Sequence, residues 1–442
     1  MSPFLCLVPF NDKICCENIE RGVEILYHLV FAGDNGKMYD HHSLRAAGRT
    51  GDRFVELADG DLEKLPAGAS LVLVPGGKPV GITSGGKFTM LKHNPWQDGP
   101  VWAVGALLPQ GFTRVLLPAY SRDGGERPLP LFGYTAVACR DGELYAAARQ
   151  TDNPLRWDPA FYDTGELPAL VKEKLENCPD NRILRQLAHC SLNYHCYTAQ
   201  NIFYGRWEGG IPTSPLCNAS CLGCISLQAS DCCPSPQSRI NFTPTPEEVA
   251  EVAAPHLQQG DGAIISFGQG CEGEPALAAR TIVQAIEKTR TSVSRGTINM
   301  NSNAGHRAGV ADICRAGLDA IRVTMISAVE DTYNAYHRPA GFGLTDVRQS
   351  IKHAVSHGVC VSLNLLVFPG LTDREEEAAA LLDLVRDTGV NMIQLRNLNI
   401  DPGFLLKHLP PGSGKTLGIP EMVEAMLQVP GLAVGNFSKP VR

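Results

Sequence analysis

Three cysteines fall within one short stretch, Cys217-Asn218-Ala219-Ser220-Cys221-Leu222-Gly223-Cys224. A loop this tight can wrap all three thiols around one metal centre. Thiolates select zinc, copper(I) or iron–sulfur clusters. A closed structural zinc site takes four ligands, and so does a cluster held by protein alone. Three clustered thiolates therefore suggest a centre with one position left open. The trio also fits part of a zinc site completed by Cys232, Cys233 or a histidine. Plain buried thiols are a further reading, since free cysteine is often buried.

The rest of the composition bears on that choice. The chain has 442 residues and 15 cysteines, an odd number. Met1-Ser2-Pro3-Phe4 lacks the basic region and the apolar run of a signal peptide. No stretch has the length of a transmembrane helix. These features place the thiols in a reducing cytoplasm, where metal binding or catalysis explains them better than disulfides. An exposed iron would be oxygen-sensitive, which points to an anaerobic or microaerobic host. The net charge is -7 with no long basic run, so nothing marks a binder of the nucleic-acid backbone.

Pattern divides the chain into a β-rich region over 1–165, a helical connector over 166–210, alternating strands and helices over 211–400, and a tail over 401–442. In the first region Ser70 to Val74 and Pro79 to Ile82 read as strand–turn–strand. Tyr134 to Cys139, Asp141-Gly142 and Glu143 to Ala148 read as a hairpin. This region carries no catalytic constellation and is expected to be an accessory or recognition domain. Cys15-Cys16 reads as an incidental pair. His189, Cys190, His195 and Cys196 could ligate a second metal, but a connecting helix explains them more simply.

Past the cysteine loop, Thr245-Pro246-Glu247-Glu248 and Thr372-Asp373-Arg374-Glu375 both have the form of capping boxes opening helices. Strands are expected at 262–267, 296–301, 320–326, 359–367 and 391–398. Regular alternation implies right-handed βαβ units and a parallel sheet, apolar on both faces. Ligands of such sheets sit at the carboxyl ends of the strands.

Two motifs overlap after the strand ending in Phe267. Gly268, Gly270 and Gly273 match the Gly-x-Gly-x-x-Gly dinucleotide fingerprint. That fingerprint wants an acid on the following strand, whereas this one ends Asn299-Met300-Asn301-Ser302-Asn303. The other match is Glu272-Gly273-Glu274-Pro275. Together with Cys-x3-Cys-x2-Cys, it resembles the radical S-adenosylmethionine (SAM) superfamily, whose second motif is Gly-Gly-Glu-Pro. Glu272 replaces the first glycine.

The resemblance covers residues 211–400 and implies a partial (β/α)6 barrel of α/β class. It implies a 4Fe–4S cluster on Cys217, Cys221 and Cys224, with SAM on the open iron. Glu274 and the turn of Gly268, Gly270, Glu272 and Gly273 would hold SAM. Asn301, Asn303, Ser327, Asn364 and Asn397, at or near strand ends, are the remaining cofactor candidates, Ser327 near the SAM carboxylate and Asn364 near the ribose. Gln394, Arg396 and Asn399 lie near them. Arg322, inside an apolar strand, needs an anionic partner. Tyr333, Tyr336, His337 and Arg338 would follow the fourth strand and could face substrate. The implied reaction is reductive cleavage of SAM to a 5′-deoxyadenosyl radical that takes hydrogen from substrate. A peptide or protein substrate comes first, a small molecule second and nucleic acid last. A flavodoxin or ferredoxin would donate the electron.

This chain departs from the superfamily in having Gly223 where an aromatic often precedes the third cysteine. It also lacks a cysteine-rich tail. Cys232, Cys233 and Cys271 are candidates for a second metal. Gly412-Ser413-Gly414-Lys415-Thr416 looks like a phosphate loop but follows no strand. His353 and His357 share a helix face. Two other classes remain: a non-catalytic zinc or iron–sulfur module, and a nicotinamide-dependent oxidoreductase using Gly268 to Gly273.

Overall fold

The computed structural model describes residues 27–122, 127–227, 237–260, 262–412 and 414–442. Cys15, Cys16, Cys232, Cys233 and Ser413 lie outside the described residues.

The N-terminal region is a 13-stranded sheet. Its first strand, His28–Gly33, pairs antiparallel with Met38–Thr50, Val101–Leu107 and Tyr134–Arg140. Tyr134–Arg140 and Glu143–Gln150 form the expected hairpin, closed by Arg140↔Glu143. Its turn residues Asp141 and Gly142 both have positive φ, 53° and 77°, as a type I′ turn demands. Ser70–Leu73 and Lys78–Ile82 are strands but not a hairpin with each other. The first pairs with Val101–Leu107, the second with Met38–Thr50. Local turn residues foretold both strands, but their partners are distant in sequence.

Three helices, Leu167–Asn177, Arg182–Asn193 and Tyr197–Tyr204, lead into a 7-stranded parallel sheet. Its strands are β1 (Glu208–Gly210), β2 (Ile264–Phe267), β3 (Thr297–Ser302), β4 (Ala320–Met325), β5 (Cys360–Val367), β6 (Met392–Asn397) and β7 (Ala433–Gly435). Each strand pairs with its successor in the chain. A doubly wound dinucleotide fold needs a reversal of strand order where its ligand binds. This sheet has none, which removes the structural basis of the nicotinamide reading. β7 and two helices, Pro402–His408 and Ile419–Leu427, occupy what reads in sequence as a tail, so the sheet runs one strand beyond Asn397.

The helix Pro246–Gln259 begins as its sequence predicts. Thr245 Oγ1 accepts from Glu248 N at 3.3 Å, and Glu248 Oε2 accepts from Thr245 N at 2.8 Å. The second capping box does not form. The helix Glu375–Thr388 is preceded by Arg374 as its cap. Thr372 instead accepts from Phe368 N at 3.1 Å, and Asp373 accepts from Gly370 N at 2.6 Å. Both are committed to the turn before the helix.

The strands are not apolar on both faces. Ile298, Met300, Ile321, Val323, Leu363, Leu365, Ile393 and Leu395 pack in the core under the helices. The alternate positions Asn301, Arg322, Thr324, Asn364 and Arg396 line a cavity instead. Period-2 alternation on a curving sheet gives one dry face and one wet one.

The two regions share packing. Val72, Val74, Leu117, Phe132 and Tyr134 of the N-terminal sheet form one core with Leu222, Tyr336, Phe368 and Leu398. Arg114, fully buried, donates to the carbonyl of Leu398 at 2.8 Å. Asn397 accepts from Arg114 N at 2.8 Å and donates to the carbonyl of Phe112 at 3.0 Å. The accessory sheet is thus clamped to the end of β6.

His256 shows how the barrel bears on acid stability. It is fully buried and its Nε2 lies 2.9 Å from the carbonyl of Trp207. Burial lowers its pKa from 6.5 to about 4. Below pH 6.5 the unfolded chain takes up a proton that the folded chain refuses, so stability falls as pH drops toward 4. The loss amounts to at most ~3 kcal/mol. Urea unfolding of wild type and His256→Gln between pH 7 and 4 checks this. The variant should lose less stability over that window by about that amount, and parallel curves would refute the assignment.

Candidate active site

The cysteine loop is held by backbone bonds on two sides. On one side it runs beside the segment after the helix Glu330–His337. Ser220 N donates to the carbonyl of His337 at 3.1 Å, Leu222 N to that of Tyr336 at 3.0 Å, and Ala340 N to that of Asn218 at 2.8 Å. On the other side it meets the glycine-rich loop after β2. Gly273 N donates to the carbonyl of Ser214 and Glu274 N to that of Leu216, both at 2.7 Å. A Cβ on Gly273 would lie 2.0 Å from Leu216 O. Gly268 has φ +79° and faces Asn301 O with no room for a side chain. These two glycines are required by close backbone approach.

Gly273→Ala should therefore push the two loops apart, at a cost of about 1–3 kcal/mol for overpacking. Thermal melting and iron uptake check this. Wild-type iron uptake would mean that the loops are not interlocked.

Cys217, Cys221, Cys224, Gly268, Gly270, Glu272, Gly273, Glu274, Asn301, Asn303, Asn364 and Asn397 all line one cavity of about 860 Å³. Gly68, Pro109, Gln110 and Leu131 of the N-terminal region line it as well. Ser327 does not. It is buried, donates to the carboxylate of Glu377 and accepts from Val329 N at 2.8 Å. Its polarity serves the turn after β4 and the helix Glu375–Thr388.

The two glutamates differ in their work. Glu272 Oε2 accepts from Thr213 N at 2.7 Å, Thr213 Oγ1 at 3.0 Å and Ser214 N at 2.9 Å. Its Oε1 accepts from Gly268 N at 2.5 Å and Gln269 N at 3.3 Å. A carboxylate has about four lone-pair sites, so Glu272 is saturated by the loops it ties together. Expected with the glycine turn to hold SAM, Glu272 has its carboxylate occupied by protein donors. Burial pushes it up to about 7, against those donors. Glu274 accepts from Ser302 Oγ at 2.6 Å, Asn303 N at 2.8 Å and Ala276 N at 3.1 Å. It retains capacity for one more donor.

The asparagines divide in the same way. Asn301 donates to the carbonyl of Gly268 at 3.1 Å, and Asn303 to Asn218 Oδ1 at 2.7 Å. These bonds brace the loops. Asn397 is engaged by the N-terminal sheet as described above, through one of its two N–H donors and one of its two acceptor sites. Asn364 donates to Thr324 at 3.1 Å and accepts from Arg396 Nε at 3.3 Å.

Two arginines reach the cavity. Arg322 pairs with the carboxylate of Glu208, and both are buried. Its expected anionic partner is therefore internal. Arg396 donates to the amide oxygens of Asn364, Gln394 and Gln110, at 3.3, 3.3 and 3.5 Å, and lies within electrostatic reach of Glu208 and Asp152. Among the described residues no carboxylate forms a salt bridge with it. Burial holds it down to about 10.

Tyr336 and His337 line the cavity, and Tyr333 lies in the core behind them. A Cβ at Gly223 would lie 2.7 Å from Tyr336 Oη. Tyr336, which comes from the segment after β4, thus occupies the space that a side chain at position 223 would need. The Tyr333 hydroxyl is buried without a partner, within electrostatic reach of Cys221 and Glu274.

Cys217, Cys221 and Cys224 are free thiols. Burial, with repulsion from Cys224 and Cys217, raises Cys221 above the ordinary thiol value, so metal uptake there would release a proton. Among the described residues no three His, Cys, Asp or Glu groups converge as the ligands of one ion do. The soft donor set of three thiols fits a thiolate-held cluster. Elsewhere, Cys190 and Cys271 meet thiol to thiol, Cys196 lies at the cavity wall, and His195 pairs with Asp163 at 2.8 Å. No described helix is long and apolar enough to cross a membrane.

Residues 211–382 match the Radical SAM superfamily. No curated protein matches the chain in sequence. Among solved structures, the chain is similar to HydG, a maturase of the FeFe-hydrogenase, with 15% identity, TM-score 0.38, and 63% of this chain and 64% of that one covered. Methylornithine synthase, PylB, gives 14% identity, TM-score 0.36, and coverage of 60% and 73%. Streptococcus suis SuiB bound to S-adenosylmethionine gives 12% identity, TM-score 0.37, and coverage of 71% and 72%. The match thus spans less than two thirds of the HydG chain.

Proposed function

From the premise that residues 211–382 form a radical SAM domain, which makes the chain an enzyme, we propose that Cys217, Cys221 and Cys224 hold a 4Fe–4S cluster and that SAM binds beside it against Glu274. When bound, the cluster supplies the electron that splits SAM to methionine and a 5′-deoxyadenosyl radical, which takes a hydrogen atom from substrate. The chain's own part is to hold, orient and shield. Glu274 receives the ammonium of SAM. Tyr336 provides an aromatic wall at Gly223. Asn364 and Thr324 present polar groups from the neighbouring strands.

One observation carries this reading. The cysteine loop and the Glu274 loop are bonded backbone to backbone and open into the same cavity. A ligand that touches Glu274 is thereby brought to the thiols. The cavity is within the range of small-ligand sites, roughly 300–1,000 Å³. SAM would take much of it, leaving room for one side chain of a peptide or protein, or for a small molecule. Arg396, at the cavity wall beside Arg322 with one carboxylate, Glu208, acting on both, favours a substrate with a carboxylate or phosphate group at that point. A reducing cytoplasm and a flavodoxin- or ferredoxin-like donor follow from the chemistry proposed.

The test is anaerobic reconstitution with iron and sulfide, then dithionite and SAM. We expect 5′-deoxyadenosine by mass spectrometry. Full cluster content with no 5′-deoxyadenosine, substrate candidates included, would overturn the proposal.

A further inference from the structure

The three cysteine sulfurs do not have equal surroundings. Cys224 Sγ lies 3.7 Å from Ser226 Oγ and 3.7 Å from an Arg239 nitrogen. Cys221 Sγ lies 3.3 Å from His337 Nδ1. The other nitrogen of that ring, Nε2, accepts from the backbone N–H of Ile326 at 3.3 Å. An imidazole nitrogen that accepts carries no proton. The proton of the neutral ring is therefore on Nδ1, where it points at the sulfur. Ile326 directly follows β4, and His337 ends the helix that packs on the cysteine loop. Only 1% of His337 is exposed, so water does not compete for either bond. The fold thus fixes one tautomer and aims one N–H at one ligand sulfur.

We propose that His337 is a positioning residue that sets the reduction potential of the cluster by donating Nδ1–H to the Cys221 sulfur. This rests on the assignment of Cys221 as a cluster ligand. Hydrogen bonds to ligand sulfurs help to set cluster potentials, and a donor that touches a ligand also orients it. A donor at sulfur stabilises the more negative, reduced cluster. Removing it makes the cluster harder to reduce.

The experiment uses the full chain, reconstituted anaerobically, in a redox titration followed by electron paramagnetic resonance without SAM. At the wild-type midpoint, His337→Leu should cut the ratio of reduced to oxidised cluster about tenfold, a shift of ~59 mV for one electron. His337→Asn, whose amide N–H can take the place of Nδ1–H, should restore most of the ratio. An unmoved midpoint in His337→Leu at equal iron content overturns the inference. If that variant takes up no cluster, wild type labelled with nitrogen-15 in histidine decides. A histidine nitrogen coupled to the reduced cluster supports the donor, and no coupling overturns it. Wild type that builds no 4Fe–4S cluster would instead defeat the parent assignment.

Discussion

Replacing Cys217, Cys221 or Cys224 singly with alanine is expected to abolish 5′-deoxyadenosine formation, a loss beyond about a thousandfold, or ~4 kcal/mol at 1.36 kcal/mol per decade. The fold should survive. The loop is held by Ser220, Leu222, Gly273 and Glu274 through backbone bonds that no cysteine side chain makes. Two remaining thiolates cannot bind three irons, so bound iron and sulfide should fall with activity. The three variants should also behave alike, since the cluster is either held or lost. A variant that keeps full brown absorbance and iron content would strike that residue from the ligand set. Alanine at Cys190 or Cys271 should leave cluster content unchanged, because those thiols meet each other and do not line the cavity.

Glu274→Gln is the second large effect. The carboxylate accepts from Ala276 N, Ser302 Oγ and Asn303 N and is 3% exposed. An amide replaces one acceptor oxygen with a donor facing those N–H groups, and removes the charge that would receive an ammonium. SAM affinity should drop by about a hundredfold, ~2.7 kcal/mol, in line with a charge-assisted bond and one unsatisfied donor. Isothermal titration with SAM on cluster-loaded protein measures it. Cluster content should change little, because no side-chain bond from Glu274 reaches a cysteine. SAM binding at wild-type strength would place the ammonium elsewhere. Glu272→Gln should instead act on stability, since all five of its donors are protein groups.

The contrast between these two glutamates shows where sequence reading stops. The motif Glu272-Gly273-Glu274-Pro275 was visible, and both acids were candidates. Which one is saturated depends on Thr213 and Ser214, about sixty residues away in sequence. Ser327 lies off the cavity, and Asn397 is partly committed to the N-terminal sheet, for the same reason. Their partners, Glu377 and Arg114, are long-range neighbours with no local signal. Strand and helix periods were local and therefore legible, as was the Thr245 cap. The Thr372 cap was not, because a buried turn outcompeted the helix for its hydroxyl. His337 had a weak signal, a histidine after the fourth strand. Its neighbour Cys221 precedes it by more than a hundred residues, which no spacing rule reaches.

The shared core of Phe132, Tyr134, Leu222, Tyr336 and Leu398 has a wider consequence. The accessory sheet is not a cassette that can be exchanged for another recognition module. Its aromatic rings lean on the same Leu222 and Tyr336 that shape the loop of thiols. Any graft that alters those rings would disturb the packing beneath the cysteine loop as well. A change on one side of that seam therefore calls for a compensating change on the other.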